Sequence, residues 1–320
     1  MAPLLHTLRR AAGATVVDGF FRAASCAGSL HPKADPAAHG VTVTRDVRYR
    51  DPGGAEHLVD VWRPPGDGPF PTMLYLHGGG FRILSKETHW IMALAYARRG
   101  WLVVNASYRL APKHPFPAAI DDACAAYVWT GRNAARFGGD PARISVAGES
   151  AGANLAASVA VAACFERDEP YAREVFATGT VPRAVVASCG IFQVTDTERY
   201  RRERKLPWYI ADRLDEVSSA YLGASAAANF DLADPLCLLE RGDRPARALP
   251  PFFLPVGTAD PLLHDTRRMA SALAAHGAIA DARYYAGGIH AFHAFVWTRL
   301  ARRCWDDTWQ FLAESGALSA

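Results

Sequence analysis

At 320 residues, half of them apolar, the chain can bury a sizeable core and fits one large α/β domain or a domain with a modest appendage. Its 35 basic and 32 acidic residues leave a net charge of only +3, and the densest basic run, Arg199 to Lys205, is short and flanked by acids, so nucleic acid is excluded as the expected partner. Six cysteines are scattered without a C-x-x-C pair, several within apolar runs, which points to a reducing compartment and offers no zinc-site spacing.

The first segment, residues 1 to about 40, contains "LRRAAGATVVDGFFRAASC", an arginine pair followed by an apolar stretch and small residues ending in Cys26. Asp18 and Arg22 interrupt the apolar part, whereas a secretory core is an uncharged block of ~7–15 residues. The expectation is therefore an amphipathic helix with Val16, Val17, Phe20 and Phe21 on one side, and a cytoplasmic location. No segment reaches the ~18 consecutive apolar residues of a membrane span. Ala151 to Phe165 comes nearest and carries Asn154 and Ser158 inside it.

From Val41 strands and helices follow in turn. "VTVTRDVRYR" and "HLVDVWRP" alternate as a half-buried antiparallel edge does. "FPTMLYLHG", "WLVVNASYRL", "RISVAGE", "RAVVASCGIF" and "PFFLPVG" are continuous apolar runs, as expected of strands covered on both faces. Helices are predicted near Glu87–Arg99, Ala118–Phe137, Ala151–Arg167, Leu262–His276 and Phe295–Glu314. Strand then helix, repeated, predicts a mainly parallel sheet wrapped by helices, an α/β fold. Two regions break the rhythm: residues 1–40, and 193–245, where "RYRRERKLPWYIADRLDEVSSAYL" reads as amphipathic helix. An insertion at a strand's C-terminal end lies where such sheets bind ligands, so both regions are expected to form one lid over a core made of 41–192 and 246–320.

Gly148-Glu149-Ser150-Ala151-Gly152 fits G-x-S-x-G between a predicted strand and a predicted helix. That turn is tight, so the neighbours of the serine must be small, and its hydroxyl is held at a helix N-terminus where amide N–H groups favour negative charge. A serine needs a base, and the base needs a group to fix its tautomer. Asp260 follows the strand "PFFLPVG", and His290 follows the candidate strand "DARYYAGG", which gives the chain order Ser, acid, His. His293 competes with His290 but lies nearer the last helix. Asp265 falls inside a helix and Asp234 precedes the strand, so Asp260 and His290 are the better placed. The run His77-Gly78-Gly79-Gly80-Phe81 ends another strand, and its glycines leave backbone N–H groups able to turn inward as an oxyanion hole. No Lys-Ser or Lys-Thr pair follows it and no G-x-G-x-x-G spacing is present, against a phosphate loop.

Together with "ASYRLAPKHPFPAAIDD" from Ala106 to Asp122, "DPL" at 260–262 and "GGIHAF" at 287–292, these motifs resemble the hormone-sensitive-lipase-like family of α/β-hydrolases from about Val41 to the C-terminus. The resemblance implies a central, mostly parallel eight-stranded sheet with a helical cap. It also implies Ser150 as nucleophile, Asp260 as acid, His290 as base, and an oxyanion hole from the N–H groups of Gly79, Gly80 and Ala151, with His77 tying its loop in place. Many relatives carry Asp at Glu149 and Gly at Ala291. Arg82 stands where a small or apolar residue is more usual, and either reaches a substrate carboxylate or pairs with an acid of the cap. Phe81, Arg82, Trp208 and Tyr209 are candidates for the substrate pocket, and Tyr108, Arg109 and the nearby prolines for bracing the loop.

The expected function is a serine carboxylesterase acting on small-molecule esters of short to medium acyl chain through an acyl-enzyme, with no metal or organic cofactor. An amide or aryl-amide hydrolase with the same triad stands beside it, since fold and triad do not fix the leaving group. A non-catalytic receptor on the hydrolase scaffold is the alternative of another class. Relatives occur as monomers and dimers, and an exposed face on the last strand and helix leaves room for a homodimer.

Overall fold

The computed structural model describes residues 18, 19, 22, 23, 25–203, 205–223 and 229–318. Val16, Val17, Phe20 and Phe21 lie outside the described residues. Eight strands form one sheet: β1 Thr42–Arg48, β2 Leu58–Arg63, β3 Phe70–Leu76, β4 Leu102–Ala106, β5 Gly139–Glu149, β6 Val185–Ser188, β7 Phe252–Gly257 and β8 Ala280–Tyr285, in the order β1-β2-β4-β3-β5-β6-β7-β8. β2 runs antiparallel to both β1 and β4, and the remaining pairs are parallel. The alternating pair is thus the antiparallel edge that its pattern predicts. The apolar runs became the interior strands, with β4, β6 and β7 buried along their whole length.

Helices α1 (Trp90–Ala97), α2 (Ala118–Asn133), α3 (Ala151–Cys164), α4 (Pro170–Ala177), α8 (Leu263–Ala275) and α9 (Arg299–Glu314) accompany the sheet. α1 starts three residues later than predicted because the chain before it is tied in a turn. There the Thr88 hydroxyl donates to Ser85 O at 2.7 Å and Asn105 Nδ2 donates to Lys86 O at 2.9 Å. α9 starts at Arg299 because Thr298 caps it, its Oγ1 accepting the Ala301 N–H at 3.1 Å.

Every residue of α3 is buried, which explains its run of alanines: only small side chains let a helix lie this close under a sheet. Its two polar residues tie down the chain beyond β6. Asn154 donates to Ile191 O and Ala233 O, each at 2.8 Å, and Ser158 to Leu232 O at 2.9 Å. Between β6 and β7 stand α5 (Arg199–Glu203), α6 (Trp208–Leu222) and α7 (Pro235–Glu240). Asp265 of α8 anchors the start of this stretch by accepting the Phe192 N–H at 2.9 Å and pairing with Arg199 at 2.6 Å. No helix among the described residues is long and apolar enough to cross a membrane.

Candidate active site

Ser150 is the single residue between β5 and α3, and it holds φ 55° and ψ −116°. A side-chain-bearing residue reaches that conformation only when its surroundings force it. Here the forcing element is the close approach of α3 to β3. A Cβ on Gly152 would sit 2.0 Å from Leu76 O, so only glycine lets the helix begin there. The sharp turn lifts the Ser150 hydroxyl out of the sheet and into a cavity.

His290 lies in the loop after β8, and its Nε2 is 3.1 Å from Ser150 Oγ. Its Nδ1 is 2.9 Å from Oδ2 of Asp260, which follows β7 and is fully buried. Asp260 Oδ1 accepts the Leu262 N–H at 2.8 Å, which fixes the carboxylate. Burial alone would depress the His290 imidazolium. The charge of Asp260 and its hydrogen bond outweigh that and hold it above the ordinary histidine value. Serine, histidine and aspartate, separated by 140 and 30 residues in the chain, therefore form one hydrogen-bonded line.

The glycine loop after β3 faces the same hydroxyl. Gly79 holds φ +111°, and a Cβ there would meet Ile83 O at 2.2 Å. Among the described residues, no group accepts a hydrogen bond from the N–H of Gly79, Gly80 or Ala151. By contrast, the Gly78 N–H is already taken by Glu149 Oε1 at 2.7 Å. His77 braces the loop, its Nδ1–H donating to Gly78 O at 2.7 Å and its ring stacked 4.2 Å from Tyr108, whose hydroxyl donates to His77 O. Burial lowers its pKa to about 3, so the ring is neutral. Arg109 bonds Asp122 at 2.8 Å and Asp121 at 2.7 Å, bracing the neighbouring loop.

The remaining acid and histidine candidates have other partners. His293 is buried in a 3-10 turn at Phe292–Ala294, with its pKa pushed down to about 4 by burial. Asp265 holds Arg199, and Asp234 accepts the backbone N–H groups of Val194 and Thr195.

The cavity has a volume of about 720 Å³ and an apolar wall that includes Ile83, Leu206, Ile210, Leu214, Val217 and Ile289. Of the four expected pocket residues, Arg82 and Tyr209 are on this wall. Two are not. Phe81 is fully buried and stacks on Tyr221 at 3.7 Å between ring centres, because its φ of 59° turns the side chain away from the cavity. Trp208, at the start of α6, is 68% exposed and lies off the wall. Arg82 pairs with Glu216 of α6, the second of the two roles open to it, and Arg213 joins the same carboxylate at 2.8 Å.

Sequence reasoning missed a buried acid and histidine beneath the nucleophile. Glu149 Oε1 is 2.7 Å from His89 Nε2, and Tyr75 donates its hydroxyl to Glu149 Oε2. Burial pushes the carboxyl up to about 8, against the Gly78 N–H and the His290 charge, and pushes His89 down to about 4. The geometry fits a neutral pair: His89 Nδ1–H donates to Ser85 O at 3.1 Å, leaving Nε2 to accept the carboxylic proton. Glu149 lay in view inside the pentapeptide, but nothing in the chain pointed from it to His89.

A family model described as alpha/beta hydrolase fold matches residues 73–294. Carboxylesterase NlhH of Mycobacterium tuberculosis (strain ATCC 25618 / H37Rv) is 35% identical over 259 residues, covering 76% of this chain and 74% of its own. Esterase LipI of the same strain is 32% identical over 240 residues, covering 72% and 69%. Among solved structures, the hyperthermophilic esterase from the archaeon Pyrobaculum calidifontis superposes with a TM-score of 0.75 at 27% identity, over 95% of this chain and 92% of its own. A bacterial heroin esterase shares the fold with a TM-score of 0.77 at 24% identity, over 97% and 93%.

Proposed function

Since the chain belongs to the α/β-hydrolase family, in its hormone-sensitive-lipase-like branch, and is a carboxylic ester hydrolase, we propose that Ser150, His290 and Asp260 are its nucleophile, base and orienting acid. The observation that carries this reading is the line from Ser150 Oγ through His290 to Asp260, at 3.1 and 2.9 Å. Asp260 holds the proton on Nδ1 and leaves Nε2 free to accept the serine proton. Ser150 Oγ attacks the ester carbonyl as His290 takes that proton. The carbonyl oxygen gains charge and is met by the unshared N–H groups of Gly79, Gly80 and Ala151, where each donor is worth on the order of 10²–10³ in rate. His290 then protonates the departing alcohol, and a water activated by the same ring releases the acid from Ser150.

Short to medium acyl esters fit the cavity, whose volume of about 720 Å³ lies in the range of small-ligand sites, ~300–1,000 Å³, and whose wall is apolar. The described parts of 1–40 and 193–245 belong to a cap over a core of 41–192 and 246–320. Supporting this, Leu206, Ile210 and Val217 supply the cavity's outer wall, and Asp18 Oδ1 accepts the Leu84 N–H at 3.0 Å. A homodimer would use the β8 edge, where Ile279 and Tyr284 are exposed. A cytoplasmic site agrees with six free cysteines.

The test is hydrolysis of p-nitrophenyl acetate, butyrate, octanoate and laurate by the native chain and by Ser150→Ala. Turnover abolished by the substitution, with the shorter chains preferred and an initial burst, is the expected result. Hydrolysis indifferent to the substitution would overturn the assignment of Ser150.

A further inference from the structure

Directly behind the proposed triad lies a thiol that ester hydrolysis does not use. Cys189 follows β6, is 1% exposed, and packs with Val256, Leu263 and Ala291. It holds φ 41°, in the left-handed region, with its N–H bonded to Pro255 O at 2.9 Å, so its side chain is aimed by a constrained backbone. The sulfur of Cys189, a carboxylate oxygen of Asp260 and a ring nitrogen of His290 all lie within 4.8 Å of one another. We infer that these three residues form a trap for a thiophilic divalent cation, Zn²⁺ or Cd²⁺, which switches the enzyme off by capturing its histidine and acid. The inference rests on the roles proposed above for Asp260 and His290.

Thiolate, imidazole and carboxylate are the ligand types that zinc takes, at about 2.3, 2.0–2.1 and 2.0–2.2 Å. Around a tetrahedral ion such ligands stand roughly 3.5 Å apart, so the observed spread closes with about 1 Å of side-chain movement. Charge balances: one 2+ cation meets one carboxylate and one thiolate. Burial first, and then the negative charge of Asp260, hold the free thiol well above its ordinary value. The same carboxylate that opposes a bare thiolate attracts a cation. Cation binding at Nδ1 of the neutral imidazole shifts that proton to Nε2, and the thiol proton leaves to solvent. With Nε2 protonated, the ring has no lone pair for the proton of Ser150, and the enzyme stops. His290 borders the substrate cavity, which gives the ion its approach. The three ligands stand at 189, 260 and 290 in the chain, which is why no cysteine spacing announced them.

The full-length chain is titrated with Zn²⁺ while ester hydrolysis is followed, in the wild type, Cys189→Ala and Cys189→Ser. The wild type should be inhibited and restored by EDTA. Both variants should keep turnover and need at least ~10-fold more Zn²⁺, the loss that follows when a site loses a ligand or its support. If Cys189→Ala fails to fold, Cys189→Ser carries the same expectation, since a hydroxyl replaces the thiol with little change of shape. Binding is read separately with Cd²⁺, through the ultraviolet absorption of cadmium thiolate, in a Cys26→Ser background that removes the exposed thiol. Ser150→Ala in that background should retain the absorption and lose turnover. Wild-type activity unmoved by Zn²⁺, or variants inhibited at the wild-type concentration, overturns the trap. Turnover surviving in Ser150→Ala would strike the catalytic reading instead, and the cadmium signal would still decide the trap.

Discussion

Glu149→Gln should change how stability depends on pH while preserving the site at neutrality. In the folded chain the carboxyl is pushed up to about 8 from its ordinary 4.5 by complete burial. Below pH 4.5 folded and unfolded chains both hold the proton, and the group has no effect. Between 4.5 and 8 the folded chain holds a proton that the unfolded chain has lost, so stability falls as pH rises, by about 1.4 kcal/mol per pH unit. Above 8 both forms are ionised and the loss is complete, at about 5 kcal/mol for a shift of this size. Glutamine copies the neutral acid in shape and cannot ionise, so it escapes the loss. Urea midpoints for both chains at intervals from pH 5 to 9 give the difference curve, in which the other buried histidines, His77 and His293, cancel. The difference should grow in favour of Glu149→Gln through pH 8 and then level. Parallel curves would falsify the placing of the proton on Glu149, and a growing advantage for the wild type would mean that the carboxylate is held ionised.

Further outcomes follow from the same geometry. Asp260→Asn should leave the melting transition nearly intact yet lower kcat by about 10⁴, because an amide no longer fixes the proton on His290 Nδ1; a loss under tenfold would deny Asp260 that task. Because His290 is held above the ordinary imidazole value and must be neutral to act, kcat/KM should fall on acidification through a midpoint above 6.5, read from a pH–rate profile. Gly152→Ala sets a methyl 2.0 Å from Leu76 O and should cost about 3 kcal/mol or more in chemical denaturation. Glu216→Gln leaves the guanidinium groups of Arg82 and Arg213 without their shared carboxylate at the cavity, and should raise kcat/KM for a succinyl ester relative to a butyryl ester at least ~10-fold, about 1.4 kcal/mol.

The sheet was legible because covered strands and edge strands differ in pattern: "FFLPVG" is apolar throughout, while β1 alternates. The line Ser150, Asp260, His290 was legible for a related reason, since each residue lies at or shortly past the end of a strand that could be read, and chain order did the rest. Side-chain direction on loops and helix starts was not. Phe81 and Trp208 adjoin the site in the chain, yet one turned into the core through a left-handed φ and the other stayed outside at the start of α6. Contacts across large separations left no trace at all: His89 meets Glu149, and Cys189 meets Asp260 and His290, only because β3, β5, β6, β7 and β8 lie side by side.

The stacking of Phe81 on Tyr221 makes the glycine loop and α6 a single mechanical piece. Arg82, beside Phe81, pairs with Glu216, and a Cβ on Gly80 would strike Val217 at 2.6 Å, so the two surfaces are fitted to each other at three places. A graft that replaced 193–245 with the corresponding stretch of a relative would hand the donors beside Ser150 a foreign neighbour. Exchanges made to alter which esters are accepted should therefore carry residues 78–82 along with the helix, and chimaeras that leave the loop behind should fold with an intact sheet and turn over slowly on every ester offered.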